Sequence, residues 1–573
     1  MTTARKLRFG LMCNSHRLMV WQAECLELLR SSNLTELKLV ITPSDWPRTA
    51  KRSLLTRITA DPNGLAFKAY DRLASRASRA RRIVDMAKEL EGVEHLTCQP
   101  ILKGKFSQYF AAEDVAMVRG YDLDFILRFG YGIIRGEILQ SARYGVWSYH
   151  HDDEEKYRGG PPAFWEIYRN DPKTGAILQR LTDTLDSGII LQKGFFPTIR
   201  CSWQKNYDQV LFGSTEWPLR VCRDILNGCA GGTDGQASTT KAPLCFRPTN
   251  LQTMRAAAKM SAAFVKEQLQ SLILREQWHV GIVRTPIYAF LASTGTPTVE
   301  WLPDLPRTRF IADPFAIKRG AELAILVEDF DLLQRRGQIS AICSADGGRS
   351  FSPPVPISGA DFDQQDHKSY PYLFEHEGGI YCVPETCEKN EVALYRALQF
   401  PRKWERICTL LEGIAAVDST VFRHDGHWWM FYSDRDRGSN VKLYLAMAPR
   451  LDGPWNAHPA NPVKTDISSA RPGGTPFVHD GALYRPAQDS TNTYGGGLVI
   501  HRVVKLTATQ YEEEVVCRLA AKRNGRYPCA FHTLAAAGDL SVVDGKRYVL
   551  LPQLLPITLR DKFRSLIQRA VRR

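Results

Sequence analysis

Apolar and polar positions follow two different rhythms along this chain. Up to about residue 230, solid apolar runs alternate with segments of helical spacing. "KLRFGLM", "ELKLVIT" and "DLDFILRFG" are apolar enough for strands buried on both faces. "RLMVWQAECLELLR" repeats its apolar residues every three or four positions, as an amphipathic helix does. A helix-rich arm runs on through residue 92, "GEILQSA" predicts a short helix, and "GVWSYHH" predicts a further strand. Such alternation predicts a mostly parallel sheet wrapped by helices, in which ligands sit at the carboxyl ends of the strands. His150 falls at such an end. A Gly/Ser/Thr-rich stretch, "NGCAGGTDGQASTTKAP" (227–243), reads as a linker, and the helical "LQTMRAAAKMSAAFVKEQLQSLILREQ" after it is expected to pack back on the first domain.

From about residue 308 the pattern changes to short strands with a weak internal repeat. "ADPFAIKRGAELAILVE", "SYPYLFEHEGGIYCVPE", "VDSTVFRHDGHWWMFYS", "GGTPFVHDGALYRPAQ" and "AGDLSVVDGKRYVLLPQ" each give a strand, a turn and a second strand. Gly-Gly and Asp-Gly between such strands favour tight hairpins. The spacing leaves room for two more strands per unit, so the repeat predicts a five-bladed β-propeller. The first strand of each blade lines the axis, which places Asp313, Asp418 and "RPGGT" (471–475) around a central funnel.

Composition changes this picture only in part. A chain of 573 residues exceeds what one core organises, and 44% hydrophobic with 24% charged residues is ordinary for globular domains. No apolar window is long enough for a spanning helix, and the first residues lack the apolar core of a signal peptide. The 13 cysteines are scattered without a CxxC pair, which favours free thiols and a cytoplasmic setting. The net charge of +14 is concentrated: ten Lys/Arg against two Asp between Arg48 and Arg82, and six against one in 559–573. The tail puts Leu559, Phe563, Leu566 and Ile567 on one helical face, fit for peripheral contact with an anionic membrane, at its inner face, or with a partner. No nucleic-acid motif accompanies the charge, so nucleic acid is not an expected partner, and nothing in the sequence sets the oligomeric state.

"FGYGII" (129–134), "SYHHDDEEKYRGGPP" (148–162) and "DTLDSGIIL" (183–191) occur in this order. Together they resemble the N10-formyltetrahydrofolate-dependent formyltransferases that act on methionyl-tRNA, glycinamide ribonucleotide and sugars. The resemblance covers about residues 5–228 and implies an α/β Rossmann-like formyltransferase domain (1–228); with the repeat and the charge pattern, a multidomain chain follows, with a linker and helical connection (229–307), an all-β five-bladed propeller (308–556) and a basic tail (557–573). It implies N10-formyltetrahydrofolate as cosubstrate, held by Phe129, Gly130, Tyr131, Gly132 and Ile133, with His150, Asp186 and Ser148 as catalytic residues. His150 would donate to the oxyanion and shuttle a proton, and Asp186 would take the amine proton or set the protonation of the histidine. The family's asparagine falls on Ser148, a departure that leaves either an active enzyme of altered geometry or a degenerate domain. The four acids 152–155 read as a solvated turn, with reception of a cationic amine as the second reading. No metal is expected, because His150 and His151 would face opposite sides of a strand.

"FIADPF", "SYPYLFEHEGGIYCVPET", "VDSTVF" and "FHTL" (531–534) resemble the five-bladed domain of arabinanase- and xylosidase-type (family 43-like) glycoside hydrolases. They resemble still more the propeller-like domain of plant glucosamine inositolphosphorylceramide transferases. Glycosidases use two carboxylates, but the acids here run Asp313, Glu385, Asp418, whereas the hydrolases run Asp, Asp, Glu. A carbohydrate-binding funnel of Asp313, Tyr370, Glu385, Asp418 and Arg471 is therefore the expectation. Tyr372, Trp428, Trp429 and Tyr432 either stack on sugar rings or fill blade cores. The function so implied is formyl transfer to the amine of an amino sugar in glycan or glycolipid synthesis. The alternative is a carbohydrate-active or glycan-binding propeller protein, a glycosidase or glycosyltransferase accessory, with a degenerate first domain.

Overall fold

A computed structural model describes residues 5–44, 62–104, 106–184, 187–228, 235, 237–292, 298–364, 366–522, 524–556, 558–560 and 564. The chain forms two compact units, Met1–Phe264 and Val265–Arg573. Part of the basic arm and most of the basic tail lie outside the described residues. Among the described residues every cysteine is a free thiol, and no helix is long and apolar enough to cross a membrane.

The first unit is built on a seven-stranded sheet. Its strands are β1 (Leu7–Met12), β2 (Thr35–Pro43), β3 (Glu94–Cys98), β4 (Phe125–Arg128), β5 (Val146–His150), β6 (Lys173–Arg180) and β7 (Ile189–Pro197), in the order β7-β6-β5-β4-β1-β2-β3. The five from β3 to β5 run parallel, and β6 and β7 are antiparallel additions. Continuous apolar runs make this possible, because β1 and β4 are covered on both faces. Phe9, Phe125 and Trp147 stack across three adjacent strands, at centroid spacings of 5.2 and 4.0 Å. Helix α1 (Val20–Ser31) lays Trp21, Cys25, Leu26 and Leu29 against the sheet at helical spacing. Helix α2 (Asn250–Ile273) buries Thr253, Ala256 and Met260, the latter two in a cluster with Phe67, Phe164 and Trp203, so its first half packs on this unit as expected. The carboxyl ends of β4 and β5 lie side by side.

The second unit is mostly sheet, a propeller-like set of antiparallel sheets in which five have four or five strands. The turns read from Glu-Gly-Gly and His-Asp-Gly are two-residue hairpins. Glu377-Gly378, Asp425-Gly426 and Asp480-Gly481 hold positive φ at both positions, which glycine accepts without strain. The first strands β9 (Arg309–Arg319), β10 (Ser369–His376) and β11 (Ala416–His424) pack in sequence against one another.

Two expectations need correction. Residues 274–301, read as connection, contain β8 (Leu274–Val283), which pairs along its whole length with β13 (Leu540–Leu550), from Leu274↔Leu550 to Val283↔Ser541. That sheet also takes in Glu300–Trp301 and β12 (Leu534–Ala537), so both ends of the unit build it. Asp544-Gly545, read as a turn, lies inside β13, and Gly545 is needed because a Cβ there would fall 2.5 Å from the Trp301 ring. At Gly474, φ is 135° and a Cβ would stand 1.8 Å from the Leu534 carbonyl oxygen. Gly474→Ala is therefore expected to cost about 3 kcal/mol, read as a lowered urea midpoint with an unchanged slope.

Candidate functional site

A cavity of about 480 Å³ opens where β4 and β5 end, within the range of small-molecule sites. Ser148 and His150 line it from β5, Arg128 from β4, and Gly132 and Ile133 from the loop after β4. Asp183, Thr184 and Gly188 close the far side. Asp186 lies outside the described residues. His150 is half-buried, and its Nε2 lies 3.2 Å from the Tyr157 carbonyl oxygen. A carbonyl only accepts, so Nε2 carries the proton in that bond.

Only two of the five expected folate contacts reach this cavity. Gly132 and Ile133 line it, whereas Phe129 packs edge-on to Trp21 at 5.3 Å and Tyr131 is buried in the core beside Phe110. Gly130 is pressed against Asn14, whose Oδ1 accepts from the Tyr131 N–H at 2.8 Å. The left-handed backbone of Tyr131, φ 64°, is held by that bond and turns the chain back toward the cavity.

Arg128 was not among the expected residues. Its Nη1 donates to Ser148 Oγ at 2.8 Å, and its Nη2 donates to the carbonyl oxygens of Tyr131, at 3.2 Å, and Gly132. Its Nε is buried without a partner. Desolvation pulls its pKa down to about 10. The sequence signal was present: a lone charge ends the otherwise apolar "FILR" strand.

The acids after β5 are not a solvated turn. Asp152, Asp153 and Glu154 are buried and only Glu155 is exposed. Lys193 of β7, with its ammonium 5.3 Å from the Phe195 centroid, lies 3.4, 2.9 and 3.4 Å from Asp153, Glu154 and Glu155. Asp152 accepts from the Ala163 N–H at 2.7 Å. Burial pushes both the Asp152 and Glu166 carboxyls up, Glu166 to about 8, so this pair retains a proton at neutral pH. His151 points away from the cavity lining, stacks on Tyr149 at 5.2 Å and is held neutral by burial, its pKa near 3.

In the second unit the five expected residues converge. β9, β10 and β11 each carry a bulge at Asp313, Tyr370 and Asp418, with φ of 51°, 43° and 51°. The bulges direct Asp313 and Asp418 into contacts with other sheets. Arg471 grips Asp418 with two bonds, 2.5 and 3.0 Å, and Gln488 adds a third at 2.7 Å. The Asp418 N–H donates to Glu385 at 3.2 Å. Tyr370 Oη accepts from the Gly474 N–H at 3.0 Å. His532, Asp544, Glu328 and Gln488 complete the cluster and were not foreseen as site residues.

His532 Nδ1 lies 2.7 Å from Asp544 and Nε2 lies 3.3 Å from Asp313, with Trp278 stacked on the ring at 4.0 Å. Against the lowering effect of burial, Asp544 and then Asp313 raise the pKa of the imidazole, which favours its charged form between the two acids. Among the described residues this trio is the group with spacing suited to a metal, but both ring nitrogens are directed at carboxylates. Tyr372, Trp428, Trp429 and Tyr432 are buried core residues, not exposed sugar platforms.

Burial pushes Glu385 to about 7 and Asp313 to about 6, with Asp418 adding repulsion to each. A glutamate titrates near 4.3 when unfolded, so the folded chain holds the extra proton between about pH 4.3 and 7. The stability this gives Glu385 is full below the lower value and lost as pH rises through the upper one. From about pH 4 to about 7, wild type should therefore lose stability relative to Glu385→Gln, as paired urea titrations would record.

These two sites can now be set beside known proteins. Residues 304–534 match the family described as "Glucosamine inositolphosphorylceramide transferase 1, N-terminal". Glucosamine inositolphosphorylceramide transferase 1 of Oryza sativa subsp. indica is 34% identical over 276 residues, 46% of this chain. The match takes in 36% of the rice protein, so this chain spans about a third of that relative. A methionyl-tRNA formyltransferase of Prochlorococcus marinus is 30% identical over 77 residues, 13% of this chain and 23% of that protein. Among solved structures, a family 117 glycoside hydrolase of Zobellia galactanivorans covers 48% of this chain and 91% of its own at 13% identity, with a TM-score of 0.32.

Proposed function

We propose that the first unit moves a formyl group from N10-formyltetrahydrofolate to the primary amine of an amino sugar, and that the second unit binds the carbohydrate part of the acceptor. The observation that carries this reading is the cavity at the ends of β4 and β5, with His150, Ser148, Gly132 and Ile133 on one wall. Formyl transfer needs little more: a basic nitrogen near the amine, a donor at the oxyanion and room for a flat heterocycle. His150 relays the proton, and Asp186 accepts it from the amine or fixes the ring's charge. The partial similarity to methionyl-tRNA formyltransferase supports the formyl half. The relatives matched by the second unit carry glucosamine, an amino sugar, in their name, which supports the acceptor half. The setting that fits is the cytoplasm, with the basic tail against an anionic membrane face where the acceptor is a glycolipid.

Incubation with N10-formyltetrahydrofolate and a panel of free, nucleotide-linked and lipid-linked amino sugars tests the reading. Mass spectrometry should show an N-formyl product with at least one acceptor. Absence of product together with absence of folinic acid binding overturns it. A second reading is favoured by one observation, the buried cluster of Asp313, Glu385, Asp418 and His532. In it the second unit carries the carbohydrate chemistry and the first is degenerate. Activity on glycans that disappears in Asp313→Asn and persists in His150→Ala would select it.

A further inference from the structure

Position 148 is where the proposed reaction is chemically weakest, since a serine hydroxyl replaces the amide that the resemblance calls for. The structure places a second group there. Ser148 and Arg128 are register partners on adjacent parallel strands, and Nη1 of Arg128 donates to the serine oxygen at 2.8 Å. The guanidinium is pinned from its other side by the carbonyl oxygens of Tyr131 and Gly132. Those carbonyls belong to the strained loop at Tyr131, so the planar group has little freedom to turn.

Three features of this arrangement point the same way. Arg128 lines the cavity, so its guanidinium stands at the wall where a developing negative charge would meet it. Its Nε is buried with no acceptor. Buried charges and orphaned donors are costly unless a counter-charge arrives. Ser148, moreover, spends an acceptor site on a charged donor, which leaves its own O–H to donate and makes it a stronger donor.

We propose that Arg128 is a positioning residue for formyl transfer which, through Ser148 and by its own charge, stabilises the oxyanion in place of the missing asparagine. This rests on the formyl-transfer reading above. In the step concerned, the amine nitrogen bonds to the formyl carbon and the carbonyl electron pair moves onto oxygen. The amine proton passes to His150. Re-formation of the C=O bond then breaks the bond to N10 of the folate, which takes up that proton. Negative charge exists on the oxygen only between these two events, so the Arg128–Ser148 pair acts on turnover and not on folate affinity.

The test uses the full chain with N10-formyltetrahydrofolate and the best amino-sugar acceptor, alongside folinic acid binding by calorimetry. Arg128→Gln should lower kcat by about 100- to 1000-fold with folate affinity within about threefold. Adding Ser148→Asn to Arg128→Gln should recover at least about tenfold, because a carboxamide restores the donor. Ser148→Ala, a smaller change that keeps the fold should Arg128→Gln disturb it, should lose kcat by at least about tenfold. Retention of kcat by both single variants, or a loss confined to KM as for an anchor of a stable anion, overturns the role of Arg128. Those outcomes require an active wild type. A wild type that neither turns over nor binds folinic acid overturns the formyl-transfer reading instead.

Discussion

On the proposed formyl-transfer reading, His150→Ala should lower turnover by roughly 100- to 10,000-fold while folinic acid still binds. The ring stands at the end of β5 on the cavity wall, with its Nε2 3.2 Å from a backbone carbonyl seven residues on. It is half-buried and outside the aromatic cluster that holds His151, so its loss costs little stability. His151→Ala gives the contrasting control. That ring packs against Trp21, Tyr149 and Tyr207, and its removal should lower the unfolding midpoint by far more than it alters turnover per folded molecule. Rate and urea midpoint measured on both variants separate chemistry from packing, and equal rate losses in the two would count against a chemical role for His150.

The largest stability effect is expected at Arg471. Its guanidinium is buried, bonded twice to Asp418 and once to Asn440 at 3.1 Å, and stacked 5.1 Å from the Tyr494 centroid. Arg471→Met leaves the Asp418 carboxylate buried with only Gln488 to answer it, which costs about 3–5 kcal/mol. The Arg471→Met, Asp418→Asn double variant should recover much of that loss, since a neutral amide buries more easily than a stranded charge and asparagine accepts the left-handed backbone at this position. Urea unfolding of the single and double variants completes the cycle. A loss below about 1 kcal/mol would mean that the pair behaves as a solvated surface bridge.

Much of the architecture was readable from spacing alone. The apolar runs of β1 and β4 reveal strands covered on both faces, and Glu-Gly-Gly and His-Asp-Gly mark hairpins that do form. Where the reading failed, a distant partner had overridden a local signal. Asp544-Gly545 has the composition of a turn, yet Trp301 and Tyr527 pack so closely on Gly545 that only a strand glycine fits, and Asp544 becomes the buried anchor of His532. Residues 152–155 look like a solvated acidic turn because their cation, Lys193, comes from a strand 39 residues later. β8 was hidden for the same reason, as its pairing partner is contributed more than 250 residues downstream.

For the candidate sites, charged residues set among apolar neighbours were the readable signal, and backbone conformation was not. Asp313, Asp418 and Glu385 were identifiable as polar residues in apolar strands and Arg471 as the charge of "RPGGT", and they do converge. The bulges that aim the two aspartates are legible only once φ is known. "FGYGII" marked the right loop but not which of its residues face outward, because the Asn14 contact turns Tyr131 inward.

The shared sheet of β8, β12 and β13 bears on where this unit can be cut. The homologous span, 304–534, omits β8 and nearly all of the two strands that end the unit. A fragment with those limits would lose Asp544 from beneath His532 and uncover the apolar surface of β9 that packs on these strands, inviting aggregation. Expression of the second unit by itself accordingly calls for boundaries at or before 274 and at or after 550, wider at both ends than sequence similarity suggests.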